Sequence, residues 1–245
     1  MQHTITIDGQ QRDIDIRPMD EDLILWRCLH GGPLSEDNIG RWPDPPPDWP
    51  AYRATNLPLL TKLIRTYGTC AILAWDGNEA VGFLRFYPKV ISALADAGGL
   101  CMQGPFPSGP SERLVDAEFP PLGQISDKTL AVHCLMTGSP FHDSPYQRKG
   151  VGAAMARYLI QWATEHGWQA IEANGYEELD VLYQNTGSAG RDFWKKLGFH
   201  VIETATEHAL QGKGEFFDTL RRQAIEQGLS ADSAANKYTL RLALA

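Results

Sequence analysis

The first part of the chain alternates polar and apolar residues as β-strands do. Residues 3–7 and 13–16 alternate around an Asp-Gly dipeptide that is typical of tight turns, and they predict a first β-hairpin. Residues 70–75 and 80–87 are rich in β-branched and aromatic residues and flank a second tight turn, so they predict a second hairpin.

Helical spacing of apolar residues lies between the two predicted hairpins. Residues 23–29 predict a short helix, and residues 58–67 predict a longer helix with its leucines on one face. Residues 41–50 contain five prolines and are predicted to be irregular, because proline fixes φ and has no N–H to donate. Residues 88–128 are rich in Gly, Pro and Ser and predict a loop insertion.

The second half of the chain predicts strands joined by helices. A buried strand over 130–137, a helix over 151–166 and a strand over 168–173 form a strand–helix–strand unit of parallel type. The chain is therefore expected to be mixed α and β, with hairpins first and a crossover later. The remaining predicted elements are a helix over 189–197, a strand over 199–203, a helix over 216–227 and a strand over 238–243.

A pair of glycines, Gly150 and Gly152, stands where a polar loop turns into an alanine-rich helix. Glycine lets the backbone approach a ligand closely, and a helix N-terminus presents unpaired N–H groups at the positive end of its dipole. Such an arrangement favours an anion, and Arg148 and Lys149 add positive charge beside it. Taken alone, the pair is more often an ordinary helix start.

Two widespread phosphate-binding motifs fit this loop poorly. The P-loop pattern GxxxxGK followed by Ser or Thr is absent from the chain. A dinucleotide-binding fingerprint would need a small residue where the chain has Met155, and it should follow its strand immediately. A nucleotide-binding protein of the dinucleotide type is therefore disfavoured.

A different family matches the loop better. Residues 147–152, QRKGVG, resemble the (Gln/Arg)-x-x-Gly-x-(Gly/Ala) signature of the GNAT superfamily of N-acetyltransferases. Residues 193–199, FWKKLGF, resemble the helix-to-strand motif that follows in this family. The order of the predicted elements agrees with the family over roughly residues 13–204, with 238–243 as a last strand.

The resemblance implies a single GNAT-like domain over residues 1–245. Its fold class would be α/β, with a central mixed, largely antiparallel twisted sheet that helices flank. In this arrangement residues 88–128 are a loop insertion, and residues 205–236 are a helical insertion before the last strand.

The resemblance also implies acetyl-CoA as a co-substrate and no metal. In the family, backbone N–H groups of the glycine loop bind the pyrophosphate, and the end of the preceding strand pairs with the pantetheine arm. The loop that joins this strand to the glycines is longer here than the family usually shows. The implied cofactor-binding residues are Leu135, Met136, Thr137, Gln147, Arg148, Lys149, Gly150, Val151, Gly152 and Ala153.

The implied reaction is direct attack of a primary amine, for example of a small molecule, on the thioester. Many family members donate the proton to the departing thiolate from a tyrosine, but this chain has Trp194 there, and an indole N–H is not an ordinary acid. Tyr183 and Tyr176 are nearby in sequence and could replace it, although a tyrosine at either position is more often a packing or surface residue. A degenerate acyl-CoA-binding or regulatory module is therefore the alternative to an enzyme.

Candidates for the general base are His133 and Glu172, on the two central strands of the predicted crossover. Histidine titrates near neutral pH, whereas an unpaired carboxylate in an apolar run would be costly. The alternative for His133 is a hydrogen-bonded core residue, and for Glu172 a salt-bridged strand end. Weaker acceptor-side candidates are His142, Asp143, Trp42 and Trp49.

Composition limits the remaining possibilities. The formal net charge is -8 and the pI is about 5.3, which argues against a general nucleic-acid binder and weakly favours a cationic substrate. No signal peptide or membrane-length apolar run is seen, so we expect a cytoplasmic protein without a membrane partner. The four cysteines form no CxxC pair, so no zinc site or disulfide framework is expected, and a homodimer is compatible with the sequence.

Overall fold

One mixed sheet runs through the protein. The computed structural model describes residues 1–26, 29, 49–94, 118–138, 144–186 and 189–245, and in these ranges the sheet has eight strands. The strands are β1 (Gln2–Ile7), β2 (Gln10–Pro18), β3 (Ala71–Asp76), β4 (Glu79–Pro88), β5 (Thr129–Thr137), β6 (Ala170–Tyr176), β7 (His200–Thr206) and β8 (Asn236–Ala243).

Helices flank this sheet. They are α1 (Trp49–Tyr67), α2 (Lys89–Leu94), α3 (Val151–Glu165), α4 (Asp180–Thr186), α5 (Arg191–Lys195) and α6 (Glu215–Glu226), with short 3-10 turns at Leu122–Gln124, His208–Leu210 and Asp232–Ala235. None of the helices in the described ranges combines the length and the apolar character that a bilayer span needs.

The strand order is β1-β2-β3-β4-β5-β6-β8-β7. Each neighbouring pair is antiparallel except β5 and β6, which are parallel because α3 carries the chain back across one face of the sheet. The predicted α/β class is confirmed, including its mixed, largely antiparallel sheet. Both predicted hairpins form, as β1–β2 and β3–β4.

The core lies where α3 packs on the centre of the sheet. The rings of Phe86 on β4 and Trp162 on α3 are 5.5 Å apart. Gly82 on β4 also faces α3, because a Cβ added there would come within 2.9 Å of the Met155 Cε atom. The absent side chain at Gly82 therefore lets the helix and the strand approach closely.

The predicted helix over residues 23–29 is wrong for its described part, since residues 24–26 have no helical structure. The Leu25 carbonyl accepts a hydrogen bond from Arg85 Nη2 at 2.7 Å, and the Trp26 carbonyl accepts one from Asn56 Nδ2 at 3.1 Å. Buried side chains thus donate hydrogen bonds to two backbone carbonyls that would accept backbone N–H groups if this segment were helical.

Helix α1 begins at Trp49, well before the predicted start at residue 58. The end of the segment predicted to be irregular therefore belongs to its first turn, where Pro50 is tolerated because its missing N–H has no intrahelical partner there. Pro58 lies inside the helix and leaves one intrahelical hydrogen bond unmade. The buried Leu59, Leu60 and Leu63 secure the turns that follow.

Three further elements differ from the elements that the sequence predicts. Helix α2 and the turn at Leu122–Gln124 lie within the predicted loop 88–128, of which residues 95–117 are outside the described residues. Helix α4 was not predicted. The predicted helix over 216–227 is confirmed as α6, which lies between β7 and β8.

Candidate active site

Strands β5 and β6 part after a short paired segment. Thr129 to Ala131 pair with Ala170 to Glu172, but the two strands continue separately to Thr137 and Tyr176. On its other side β5 stays paired with β4 as far as Thr137. The β5–β6 pairing ends at Ala131, so residues 135–137 at the end of β5 can bond an extended ligand on the side that faces β6.

A bulge in β5 lies at the point where the strands part. In the β4–β5 register Arg85 pairs with Cys134 and Phe86 pairs with Val132, so His133 is the extra residue. Bulges bend a strand and redirect side chains, and they are frequent next to active sites.

The space between the parted strands opens into a cleft of ≈ 380 Å³. One wall is the end of β5 and the loop before α3, and the other is the segment that leads from β6 into α4 and α5. The residues that line it are Leu135, Thr137, Tyr146, Arg148, Gly150, Val151, Gly152, Ala153, Glu177, Glu178, Leu179, Asp180, Tyr183, Ala189, Gly190 and Phe193.

The loop before α3 has an unusual backbone. Arg148 has φ 57° and Gly150 has φ 83°, both in the left-handed region, which costs a non-glycine residue about 1–2 kcal/mol. Gly150 is the N-cap of α3 and no side chain caps the helix. The N–H groups from Gly150 to Ala153 therefore have no intrahelical acceptor, and these residues line the cleft, where an anion can bind them.

Two contacts from distant strands hold this loop. The Tyr146 hydroxyl donates to Asp76 Oδ2 at 2.8 Å, and Arg12 Nη1 donates to the same oxygen at 2.8 Å. Burial, and then the hydrogen bond to Asp76, raise the pKa of Tyr146 to about 12. At the other end of the loop His3 Nε2 is 3.1 Å from the Lys149 carbonyl oxygen. No local sequence pattern marks these contacts, because they join residues that are far apart along the chain.

The opposite wall of the cleft is acidic. Asp180 pairs with Arg148 across the cleft, with Nη2 and Oδ1 3.1 Å apart. Glu177 is buried, accepts a hydrogen bond from the Tyr238 hydroxyl and pairs with Arg191 Nη2 at 3.3 Å. Burial, and then the hydrogen bond to Glu177, raise the pKa of Tyr238. The cleft thus places an anion-binding loop opposite carboxylates.

The family comparison covers the central part of this site. Residues 120–199 match the sequence profile of the "Acetyltransferase (GNAT) family". This segment holds β5, the loop, α3, β6, α4 and α5. This match identifies residues 120–199 as similar to a GNAT acetyltransferase domain and supports an acyltransferase. Enzymes of this family use acetyl-CoA as the acetyl donor.

Solved structures of GNAT enzymes are similar to the chain along nearly its whole length. Polyamine N-acetyltransferase from Drosophila melanogaster is 13% identical, with 95% of this chain and 100% of that chain covered and a TM-score of 0.46. The ribosomal-protein-S18-alanine N-acetyltransferase from Escherichia coli is 9% identical, with coverages of 95% and 94% and a TM-score of 0.45. Ard1 from Thermoplasma volcanium is 11% identical, with coverages of 95% and 98% and a TM-score of 0.44. No curated protein sequence gives a significant match.

The candidate acids occupy different places in the GNAT domain. Tyr183 lines the cleft, and burial raises its pKa while the charge of Arg148 lowers it. Trp194 is buried between Phe193 and Phe199, and its indole N–H has no hydrogen-bond acceptor among the described residues. Tyr176 is half-buried and does not line the cleft. Only Tyr183 is thus brought to the anion-binding loop.

The candidate bases of the GNAT domain lie where β5 and β6 part. His133 is exposed, so the alternative of a core histidine is wrong, and its ring centroid is 5.7 Å from that of Tyr87. Glu172 is buried and ion-paired, with Lys89 Nζ at 2.8 Å and Arg241 Nη1 at 2.6 Å. Neither side chain lines the cleft.

The other predicted residues divide between the cleft and its surroundings. Met136 is buried, and Gln147 and Lys149 belong to the loop but do not line the cleft. Trp42, His142 and Asp143 lie outside the described residues, and Trp49 begins α1. The described part of the chain holds no group of three or more His, Cys, Asp or Glu side chains suited to a metal ion.

Proposed function

We propose that the chain is an acetyl-CoA-dependent N-acetyltransferase that acetylates a primary amine by direct attack on the thioester. The observation that carries this proposal is a single cleft that contains both a free strand edge and a helix N-terminus with unpaired N–H groups. In this proposal the β5 edge at 135–137 binds the pantetheine arm, and residues 147–153 bind the pyrophosphate.

The two parts of the cofactor site are adjacent in space. A Cβ added at Gly152 would be 3.4 Å from Thr137 Oγ1 and 3.9 Å from Leu135 Cδ2. The chain leaves β5 in a fixed direction, because the Gly138 N–H donates to the Val81 carbonyl at 2.7 Å. The long connection from Thr137 to Gln147 therefore leaves the strand edge and the glycine loop in contact, as one extended ligand requires.

Bound acetyl-CoA would supply an acyl carbon that a neutral amine can attack. We assign Tyr183 the role of proton donor to the leaving thiolate, since its side chain lines the cleft and a tyrosine hydroxyl is protonated at neutral pH. We assign His133 the role of base that takes the proton of the amine. It follows the last β5–β6 pair by two residues, where the two strands begin to part beside the cleft, and its side chain is exposed.

Glu172 is the less favoured base. Its carboxylate accepts hydrogen bonds from Lys89 Nζ and Arg241 Nη1, so both cations are held by the same side chain. A base in this position would have to lose one of these contacts before it could take a proton. Glu172 therefore suits the joining of α2, β6 and β8 better than catalysis.

Calorimetry with CoA, acetyl-CoA and NAD tests cofactor binding. We expect both CoA forms to bind and NAD not to bind, and absence of CoA binding would refute the proposal. Thiol release is then followed with a panel of primary amines, including polyamines and amino-terminal peptides. Binding with no turnover across this panel would favour the acyl-CoA-binding module instead of the enzyme.

Variants test the assigned roles once an acceptor is found. His133→Ala and Tyr183→Phe should each lower kcat by about 10²-fold or more, because general acid–base groups contribute about 10²–10⁴. Tyr176→Phe is the matched control for Tyr183→Phe, since it makes the same chemical change at a tyrosine that does not line the cleft. Unchanged kcat in Tyr183→Phe would refute its role as the acid. Loss of kcat in Glu172→Gln without loss of stability would transfer the role of base to Glu172.

A further inference from the structure

We infer that His3 positions the pyrophosphate loop, so that the N-terminal strand β1 is a functional part of the cofactor site. This inference rests on the proposed function, because it concerns the loop to which pyrophosphate binding is assigned. Strand β1 lies outside residues 120–199, which match the family.

The contact joins the first strand of the sheet to the loop before α3. His3 is half-buried on the same face of β1 as the buried Ile5 and Ile7, and this face turns toward the loop. Its Nε2 atom is 3.1 Å from the Lys149 carbonyl oxygen. A carbonyl oxygen can only accept, so Nε2 carries the hydrogen and donates it.

This hydrogen bond fixes the orientation of one peptide group. In a trans peptide the C=O of Lys149 and the N–H of Gly150 point in opposite directions. The carbonyl points toward His3, so the Gly150 N–H points away from it. Gly150 lines the cleft, and its N–H has no acceptor among the described residues. His3 thus holds the Gly150 N–H in the orientation that a phosphate oxygen needs.

A second contact holds the start of the loop. Asp76 accepts hydrogen bonds from Tyr146 and from Arg12 on β2. The hydrogen bonds at Tyr146 and at Lys149 lie on either side of Arg148, whose φ is 57°. A strained residue keeps its conformation only where its surroundings enforce it. Strand β1 makes the hydrogen bond to Lys149 directly, and β2 supports the one to Tyr146 through the contact of Arg12 with Asp76 on β3. The hairpin β1–β2 therefore helps to keep the loop in its anion-binding shape.

The test compares binding of acetyl-CoA with binding of S-acetylpantetheine, which lacks the pyrophosphate and the nucleotide. His3→Ala removes the donor to Lys149. It should weaken acetyl-CoA binding by roughly three- to tenfold, the effect expected of one hydrogen bond. Binding of S-acetylpantetheine, measured by its competition with CoA, should stay unchanged. His3→Gln places an amide donor near the Nε2 position and should restore most of the affinity.

Thr4→Ala is the matched control in the same hairpin. Thr4 Oγ1 donates to Asp13 Oδ1 at 2.7 Å on the opposite face of β1, so the variant weakens the hairpin without touching the loop. Its acetyl-CoA affinity should equal that of the unmodified protein.

Each other outcome overturns the inference. It is wrong if His3→Ala binds acetyl-CoA normally, if it weakens both thioesters equally, or if Thr4→Ala has the same effect. Failure of the unmodified protein to bind acetyl-CoA is a different result, since it refutes the proposed function and this inference with it.

Discussion

Replacement of Gly150 by alanine tests whether the left-handed backbone of the loop is required for cofactor binding. Gly150 has φ 83°, and a Cβ at this position would lie 3.2 Å from His3 Nε2 and not in the cleft. Gly150→Ala should therefore act on the shape of the loop and on the His3 contact, and not by filling the cleft.

Two contributions set the size of the effect. An alanine in the left-handed region costs about 1–2 kcal/mol of folded-state stability. The lower conformational entropy of the unfolded alanine variant offsets about 0.4–1 kcal/mol of this cost. Displacement of His3 weakens one hydrogen bond, worth about 1 kcal/mol. We expect the free energy of unfolding to fall by about 1–2 kcal/mol. Acetyl-CoA affinity should fall by roughly five- to tenfold, since about 1.4 kcal/mol is tenfold.

Gly167 provides the matched control at the other end of α3. It has φ 77°, and a Cβ added there meets no atom within 4 Å. Gly167→Ala should therefore carry the backbone cost and leave cofactor binding unchanged. Stability is measured by chemical denaturation and affinity by calorimetry of the folded variants. Equal acetyl-CoA affinity in the two variants would refute the role of the Gly150 conformation.

Three further predictions concern charged and titratable groups. Asp180→Asn should strengthen acetyl-CoA binding, most clearly at low salt, because it frees Arg148 and removes a negative charge from the cleft. Calorimetry at two salt concentrations measures this, and weaker binding would contradict it. Glu172→Gln should lower the free energy of unfolding by about 2 kcal/mol, since two cations lose their shared partner, and denaturation without any loss would argue against the structural role. Tyr146→Phe should lower the free energy of unfolding below pH 10. This loss of stability should shrink as the pH rises toward 12, where the raised pKa of Tyr146 lies. A loss that stays constant from pH 9 to 12 would exclude the hydroxyl as its source.

Local patterns were sufficient for most of the sheet. The hairpins β1–β2 and β3–β4 and the unit β5–α3–β6 follow from alternation, tight turns and helical spacing, which are properties of neighbouring residues. The short motif around Gly150 was also sufficient to find the loop and, with the motif that ends at Phe199, the family. These features could be predicted because each depends on a few consecutive residues.

Local patterns failed where distant side chains compete for the backbone. The predicted helix over 23–29 does not form over its described residues because Arg85 and Asn56 bond the carbonyls of Leu25 and Trp26. Similarly, a histidine between two apolar residues suggested a core position, but the bulge in β5 exposes His133. A bulge depends on the register with β4, which the sequence of β5 does not contain.

The sequence by itself determined the fold class, the crossover and the glycine loop, since those depend on short-range periodicity and backbone freedom. The tertiary structure decided that Tyr183, not Trp194, reaches the loop, because α4 lines the cleft while Trp194 packs in the core. It also decided that His3 contacts Lys149, 146 positions away along the chain. Contacts of this kind form only when distant strands pair, and therefore no local sequence pattern can predict them.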